Sequence, residues 1–243
     1  MLVTGHPQFE TQDDMGIGDG VSAIPEWQLD SNSSFNASSA LNSIELDFEV
    51  ENVIVRLRNV FERVPNIPLP PTRFHDLTCF VIHRLLLTAP KTDNDQSSPT
   101  TECFRYAIIL YMFIIQGPTY YSHAVIFNNM LARLVEHLQQ ISTRIHVSEL
   151  VQVWLLTVGM TASAGTDSYL WFVQRSRAVA DTLQITHWSE VLISIQNVLW
   201  LETARSESHF RPHWDDIFNA QDQTGPPRLL FSVSSSTIRE ELL

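Results

Sequence analysis

The stretch Ser148 to Leu201 constrains the fold more than any other part of the chain. It holds four of the six tryptophans (Trp154, Trp171, Trp188 and Trp200) on three successive helical patterns. The first pattern, Ser148 to Ala164, is apolar on nearly every side through Leu150, Val151, Val153, Trp154, Leu155, Leu156 and Val158. A helix without a polar face needs neighbours on several sides, which places it inside a helical array. Its second half turns small at Gly159, Thr161, Ala162, Ser163 and Ala164, so another helix can approach closely, and Gly165 supplies a stop. Asp167 or Ser168 then caps a second helix running to Leu183. That helix has Phe172, Val179 and Leu183 on one side and Gln174, Arg177 and Asp181 on the other. A third pattern, Thr186 to Glu202, repeats apolar residues at Trp188, Val191, Leu192, Ile195, Val198 and Leu199.

The same periodicity runs through the preceding chain. Asn42 with Glu45 has capping-box spacing ahead of a helix carrying Ile44, Phe48, Val55, Leu57 and Phe61. Pro65 ends that helix, and Pro65 to Pro71 reads as a stiff connector. Helices follow at Phe74 to Leu87, Thr101 to Ile115 and Ser122 to Ile141, with a polar loop between Ala89 and Thr100. A short closing helix is expected over Phe210 to Phe218. No stretch alternates with period two, so the expected fold class is all-α, an irregular array of about seven to eight helices. The domain reading is a disordered acidic leader over 1–42, a helical domain over 43–218 and a disordered tail over 219–243.

Charge narrows the function. The net charge is −12, with fourteen arginines and the single lysine Lys91, and the first of these bases in the chain is Arg56. Nucleic-acid binding draws most of its affinity from neutralised phosphates, so the balance argues against autonomous DNA or RNA binding. The leader combines Asp13, Asp14, Asp19, Glu26 and Asp30 with isolated Phe9, Trp27 and Phe35, the composition of a weak activation-type tail or of a plain solvated leader. Met1 to His6 has no basic or apolar signal region, and the longest apolar run falls well short of the ~20 residues of a membrane helix. The expectation is a soluble intracellular chain without membrane association.

Reaction chemistry finds little support. Cys79 and Cys103 are too few for a disulfide scaffold or a four-thiolate metal site, and they read as buried free thiols. His209 and His213 stand four apart with Asp215 and Asp216 beyond, a spacing open to a metal, but Pro212 between them disturbs the helix that would align them. His75 and His83, eight apart, have the spacing to share a face, with Asp76 alongside. Nucleophile elbows, zinc-protease motifs and phosphate loops are absent, and Gly16 to Gly20 spaces glycines without the strand and helix a dinucleotide loop requires. Arg175 and Arg177 read as solvated charges, Arg177 pairing with Asp181. The tryptophans read as core, with a ligand pocket as the competing account. The expectation is therefore no enzyme, no cofactor, and no catalytic or metal residue.

Four segments resemble a known family: Val153 to Gly159, Trp171-Phe172-Val173, Trp188-Ser189-Glu190-Val191 and Val198-Leu199-Trp200. In that order, and with Glu102 to Tyr111 upstream, they look like the fungal-specific transcription factor domain, the helical regulatory region of fungal zinc binuclear-cluster regulators. The resemblance spans about residues 74 to 218. Those regulators read DNA with an N-terminal cysteine cluster holding zinc, and the two cysteines here cannot form one. The resemblance implies a nuclear, transcription-regulator-like interaction domain governing a metabolic gene set, such as one for secondary metabolites. It would act through other transcription regulators or a separately encoded zinc-cluster protein, with a homodimer also open. A helical small-molecule-binding protein or an unrecognised enzyme is the alternative.

Overall fold

Pro99–Gln116 is the helix on which most of the others pack. The computed structural model describes residues 23–28, 41, 44–64, 69–88, 97–118, 124–144 and 148–224. Its elements in chain order are α1 (Pro25–Gln28), α2 (Phe48–Arg63), α3 (Pro71–Leu87), α4 (Pro99–Gln116), α5 (Ala124–Arg144), α6 (Glu149–Ala162), α7 (Tyr169–Leu183), α8 (Trp188–Gln196) and α9 (Ala204–Thr224). No strand occurs among the described residues, and the chain is all-α as its periodicity predicts. Among the described residues the eight longer helices agree with the expected number, and the four-residue α1 is added to them.

Local chemistry sets the ends of α4. The Ser98 hydroxyl accepts from the Thr101 N–H at 3.1 Å, Pro99 occupies the first turn, and Gly117 closes the helix at φ 74. Proline at the start has no amide to leave unsatisfied, and glycine at the end tolerates positive φ. Fourteen of the eighteen residues of α4 are buried, and the helix touches α2, α3, α5, α6 and α9. The apolar helix α6 is the second pillar, in contact with α4, α5, α7, α8 and α9. Between the two pillars Trp154 lies 1 % exposed, stacked on Phe104 at 5.7 Å and tilted against Tyr111 at 6.1 Å.

The small stretch of α6 does what its composition suggests. The Phe172 ring of α7 sits so close over Gly159 that a Cβ there would overlap it. Ser176 and Ala180, buried on the same face of α7, keep the rest of the contact close. The chain turns between α6 and α7 through Gly165 at φ 79. Ser168 occupies the cap position of α7 without a side-chain hydrogen bond.

Several expected boundaries move. Residues Ala23 to Gln28 belong to the folded body, with Ile24 and Trp27 buried, so the leader is not disordered throughout. An aromatic anchor overcomes its polar surroundings here, which composition averaging cannot register. Leu41 is buried too, while Asn42 lies outside the described residues, as do 1–22, 29–40, 65–68 and 89–96. The cap of α2 is Asp47 rather than Asn42, and Phe48 is 72 % exposed. The inner face of α2 is Val50, Val53, Ile54, Leu57, Val60 and Phe61, a tighter fit to three-and-four spacing than the set chosen from the sequence.

The third tryptophan helix stops at Gln196, and Val198 to Leu201 continues as an irregular segment with Val198, Leu199 and Leu201 buried and Trp200 half-buried. At the C-terminal end, α9 is 21 residues long and carries Pro212 inside it, so 219–224 is helical rather than part of a tail; 225–243 lie outside the described residues. Pro212 is exposed, and the Ser208 carbonyl it deprives of a partner is on an exposed residue too, where water can serve it.

Two substitutions test the pillars. Trp154→Ala is expected to cost roughly 3–5 kcal/mol through lost burial and a cavity, read as a shift of the denaturant midpoint. Gly159→Ala is expected to cost about 1–3 kcal/mol by forcing Phe172 away, and pairing it with Phe172→Leu should recover part of that loss.

Candidate functional site

Several polar groups of the interior are held by the fold itself. The Trp154 indole N–H donates to the Leu199 carbonyl at 2.8 Å, and the Leu201 N–H donates to the Tyr111 hydroxyl at 2.8 Å. The Trp214 indole donates to the Thr157 hydroxyl at 3.0 Å, which itself donates to the Val153 carbonyl at 2.7 Å. Arg105, buried on α4, forms an ion pair with Glu102 at 3.1 Å and donates to the Leu85 carbonyl and the Thr88 hydroxyl, both at 2.6 Å. That guanidinium closes the C-terminal end of α3, where carbonyls lack helical partners. Burial pushes the Tyr111 phenol and the Cys103 thiol up from their ordinary values.

Two surface depressions flank this interior. A groove of about 810 Å³ lies between the start of α8 and the outer face of α9, lined by His187, Trp188, Arg211, Asp215 and Phe218 among others. Charges in it and beside it already have partners. The Glu190 carboxylate accepts from the Thr186 and His187 N–H groups at 2.7 and 3.1 Å, which holds it below the usual carboxylate range. Arg211 bonds Glu207 at 3.0 Å and Asp215 at 3.2 Å, and these bonds raise it. The Trp188 indole N–H is buried beside the groove without a hydrogen-bond partner. A smaller hollow of about 280 Å³ lies between Arg58 and Phe61 of α2 and Trp200. There Arg58 donates to the Asn197 carbonyl at 3.0 Å, and burial lowers its pKa.

The residues that invited metal or nucleophile chemistry are scattered. His209 and His213 lie one turn apart on α9, but His213 Nδ1 is bonded to the Tyr169 hydroxyl at 3.0 Å, and Asp215 is turned to Arg211. His75 is exposed and His83 is fully buried, so they do not share a face. Eight residues rotate a helix about 80° past two full turns, enough to move one ring from solvent to core. Among the described residues no group of three His, Cys, Asp or Glu is arranged to hold a metal ion. Cys103 is buried, whereas Cys79 is only half-buried, its sulfur 3.6 Å from His75 Nε2. The Arg177 Nε is buried without a hydrogen-bond partner.

Sequence reasoning passed over Trp214 and treated Trp27 as incidental, yet both are among the largest fully buried side chains. For Trp214 a signal existed in its spacing from Phe210 and Ile217 on a helix. For Trp27 none existed, since its partners Arg56 and Phe80 lie on α2 and α3.

No protein-family profile, no curated protein and no solved structure matches this chain. No helix among the described residues is long and apolar enough to cross a membrane.

Three histidines give the protein a pH dependence. Burial, the main cause, lowers the pKa of His137, His209 and His213 from 6.5; Glu102 and Glu136 oppose it at His137, and Asp216 at His213. A group whose folded pKa is depressed contributes stability that is present above its unfolded pKa and lost as pH falls toward the folded one. The melting temperature should therefore fall as pH drops below the ordinary histidine value of 6.5. His213→Gln should flatten that slope in thermal melts.

Proposed function

We propose that this chain is a transcription-regulator-like interaction domain of the kind fungal zinc-cluster regulators carry, acting on a metabolic gene set through protein partners in the nucleus. The observation that carries this reading is the filled interior around Trp154. Its aromatic rings pack on one another and its polar handles bond the chain's own backbone, which suits a platform more than a receptor. The partners are other transcription regulators or a zinc-cluster protein, and the domain performs no catalysis. A second reading, a small-molecule receptor, draws on the groove beside Trp188 and its unpartnered indole N–H.

Direct DNA contact fits the surface poorly. Arg73 pairs with Glu26, Arg84 with Glu49 at 2.9 Å, Arg133 with Glu136 at 3.2 Å, and Arg211 with two carboxylates. Arg56 and Arg58, in the densest basic stretch of the sequence, donate to the carbonyls of Trp27 and Asn197. Arginines held this way present few free charges to a phosphate backbone.

Gel-shift titration of the purified chain against random and promoter duplexes at low salt should give no retarded band. Co-precipitation with zinc-cluster regulators from the same cells should recover at least one of them. A salt-sensitive DNA complex at sub-micromolar protein would overturn the partner-mediated reading.

A further inference from the structure

The segment Ile24–Trp27 is seated on the α2–α3 surface like a bound peptide. Ile24 and Trp27 are 4 % and 1 % exposed, although α1 is only four residues long. Trp27 meets the Phe80 ring edge-on at 5.0 Å, and the Arg56 guanidinium lies over the indole at 5.7 Å. The same Arg56 donates to the Trp27 carbonyl at 2.9 Å. Beside the aromatic anchor, Glu26 forms an ion pair with Arg73 of α3. The surface thus reads three features at once: an apolar residue, an acidic residue two positions on, and a tryptophan directly after it.

The fit is incomplete. The Trp27 indole N–H and one Glu26 carboxylate oxygen are buried without hydrogen-bond partners. A buried donor with no acceptor carries its full desolvation penalty. A helix this short has little stability of its own, so α1 depends on its anchors and on its tether, which supplies a high effective concentration. An untethered ligand of the same chemistry that also satisfies the indole N–H would compete with it.

We propose that the α2–α3 groove is a peptide-docking site, that Ile24–Trp27 is its built-in competitor, and that a partner protein's acidic, tryptophan-bearing peptide displaces it. The inference rests on the interaction-domain reading and names the surface through which it would act. Two arginines around an aromatic floor match an acidic aromatic peptide and disfavour a basic one.

The test uses a fluorescein-labelled peptide of residues 20–31 and the full chain, read by fluorescence anisotropy. In the wild-type chain the groove is occupied, so apparent affinity is reduced by the fraction of open molecules. Trp27→Ala empties the groove and should bind the peptide at least about tenfold more tightly than wild type. The same peptide with alanine for tryptophan should not bind. Adding Arg73→Glu to Trp27→Ala should weaken binding, and a peptide with arginine in place of Glu26 should restore it.

Thermal melts accompany each variant, and Glu26→Arg, which leaves the buried anchor intact, provides a second way to loosen the segment. That variant should bind the peptide with intermediate affinity. Equal affinity of all chains, or no binding to any, would overturn the proposal. So would loss of the folded state in Trp27→Ala without binding in Glu26→Arg, which would make the segment part of the core. Wild-type dimers that exchange labelled leaders would make a second copy the occupant, again overturning the partner version. Failure here with regulator co-precipitation intact would leave the interaction-domain reading standing on another surface.

Discussion

The structure depends on the pair of hydrogen bonds that hold the irregular segment after α8 against the central helices. Trp154 on α6 donates to the Leu199 carbonyl, and Tyr111 on α4 accepts from the Leu201 N–H. Val198, Leu199 and Leu201 are buried, so their backbone groups cannot turn to water. Unpaired, each would cost about 1–3 kcal/mol. Aromatic side chains with a polar tip resolve this by burying a large apolar body while serving backbone groups that no helix or strand satisfies.

That arrangement explains the density of rings around α9. Phe210 stacks on Tyr111 at 5.6 Å and meets Trp200 edge-on at 5.6 Å, and Trp214 reaches the Thr157 hydroxyl. The last helix is thereby tied to both pillars, although the average residue of α9 is polar. On the other side of α4, the buried Arg105–Glu102 pair joins α3 to α4. Buried ion pairs add little net stability, because desolvation offsets their attraction. This one also fills the acceptors at the end of α3, which fixes how the two helices meet.

Such an interior leaves chemistry little to work with. Its buried Arg105 and Glu102 are paired, and burial raises the pKa of the Cys103 thiol and the Tyr111 phenol. The surface on α2 and α3 holds an acidic residue followed directly by tryptophan. There the unpartnered indole N–H of Trp27 offsets part of what its burial contributes.

Period-3.6 apolar spacing determined the all-α class, the positions of α3, α4, α5 and α7 to within a few residues, and the burial of Trp154. The run of small residues at Gly159 likewise foretold a close helix neighbour, because steric room is a property of the residue itself. The tertiary structure decided the rest. Whether Trp27 anchors or floats depends on Arg56 and Phe80, 29 and 53 positions away. The end of α8 depends on acceptors and donors supplied by Trp154 and Tyr111, not on any local stop signal. The length of α9 rests on burial of Phe210, Trp214 and Ile217 outweighing the local penalty of Pro212. Helix periodicity is written within a few turns of chain, whereas the partners of a buried indole or an unpaired carbonyl come from wherever packing places them.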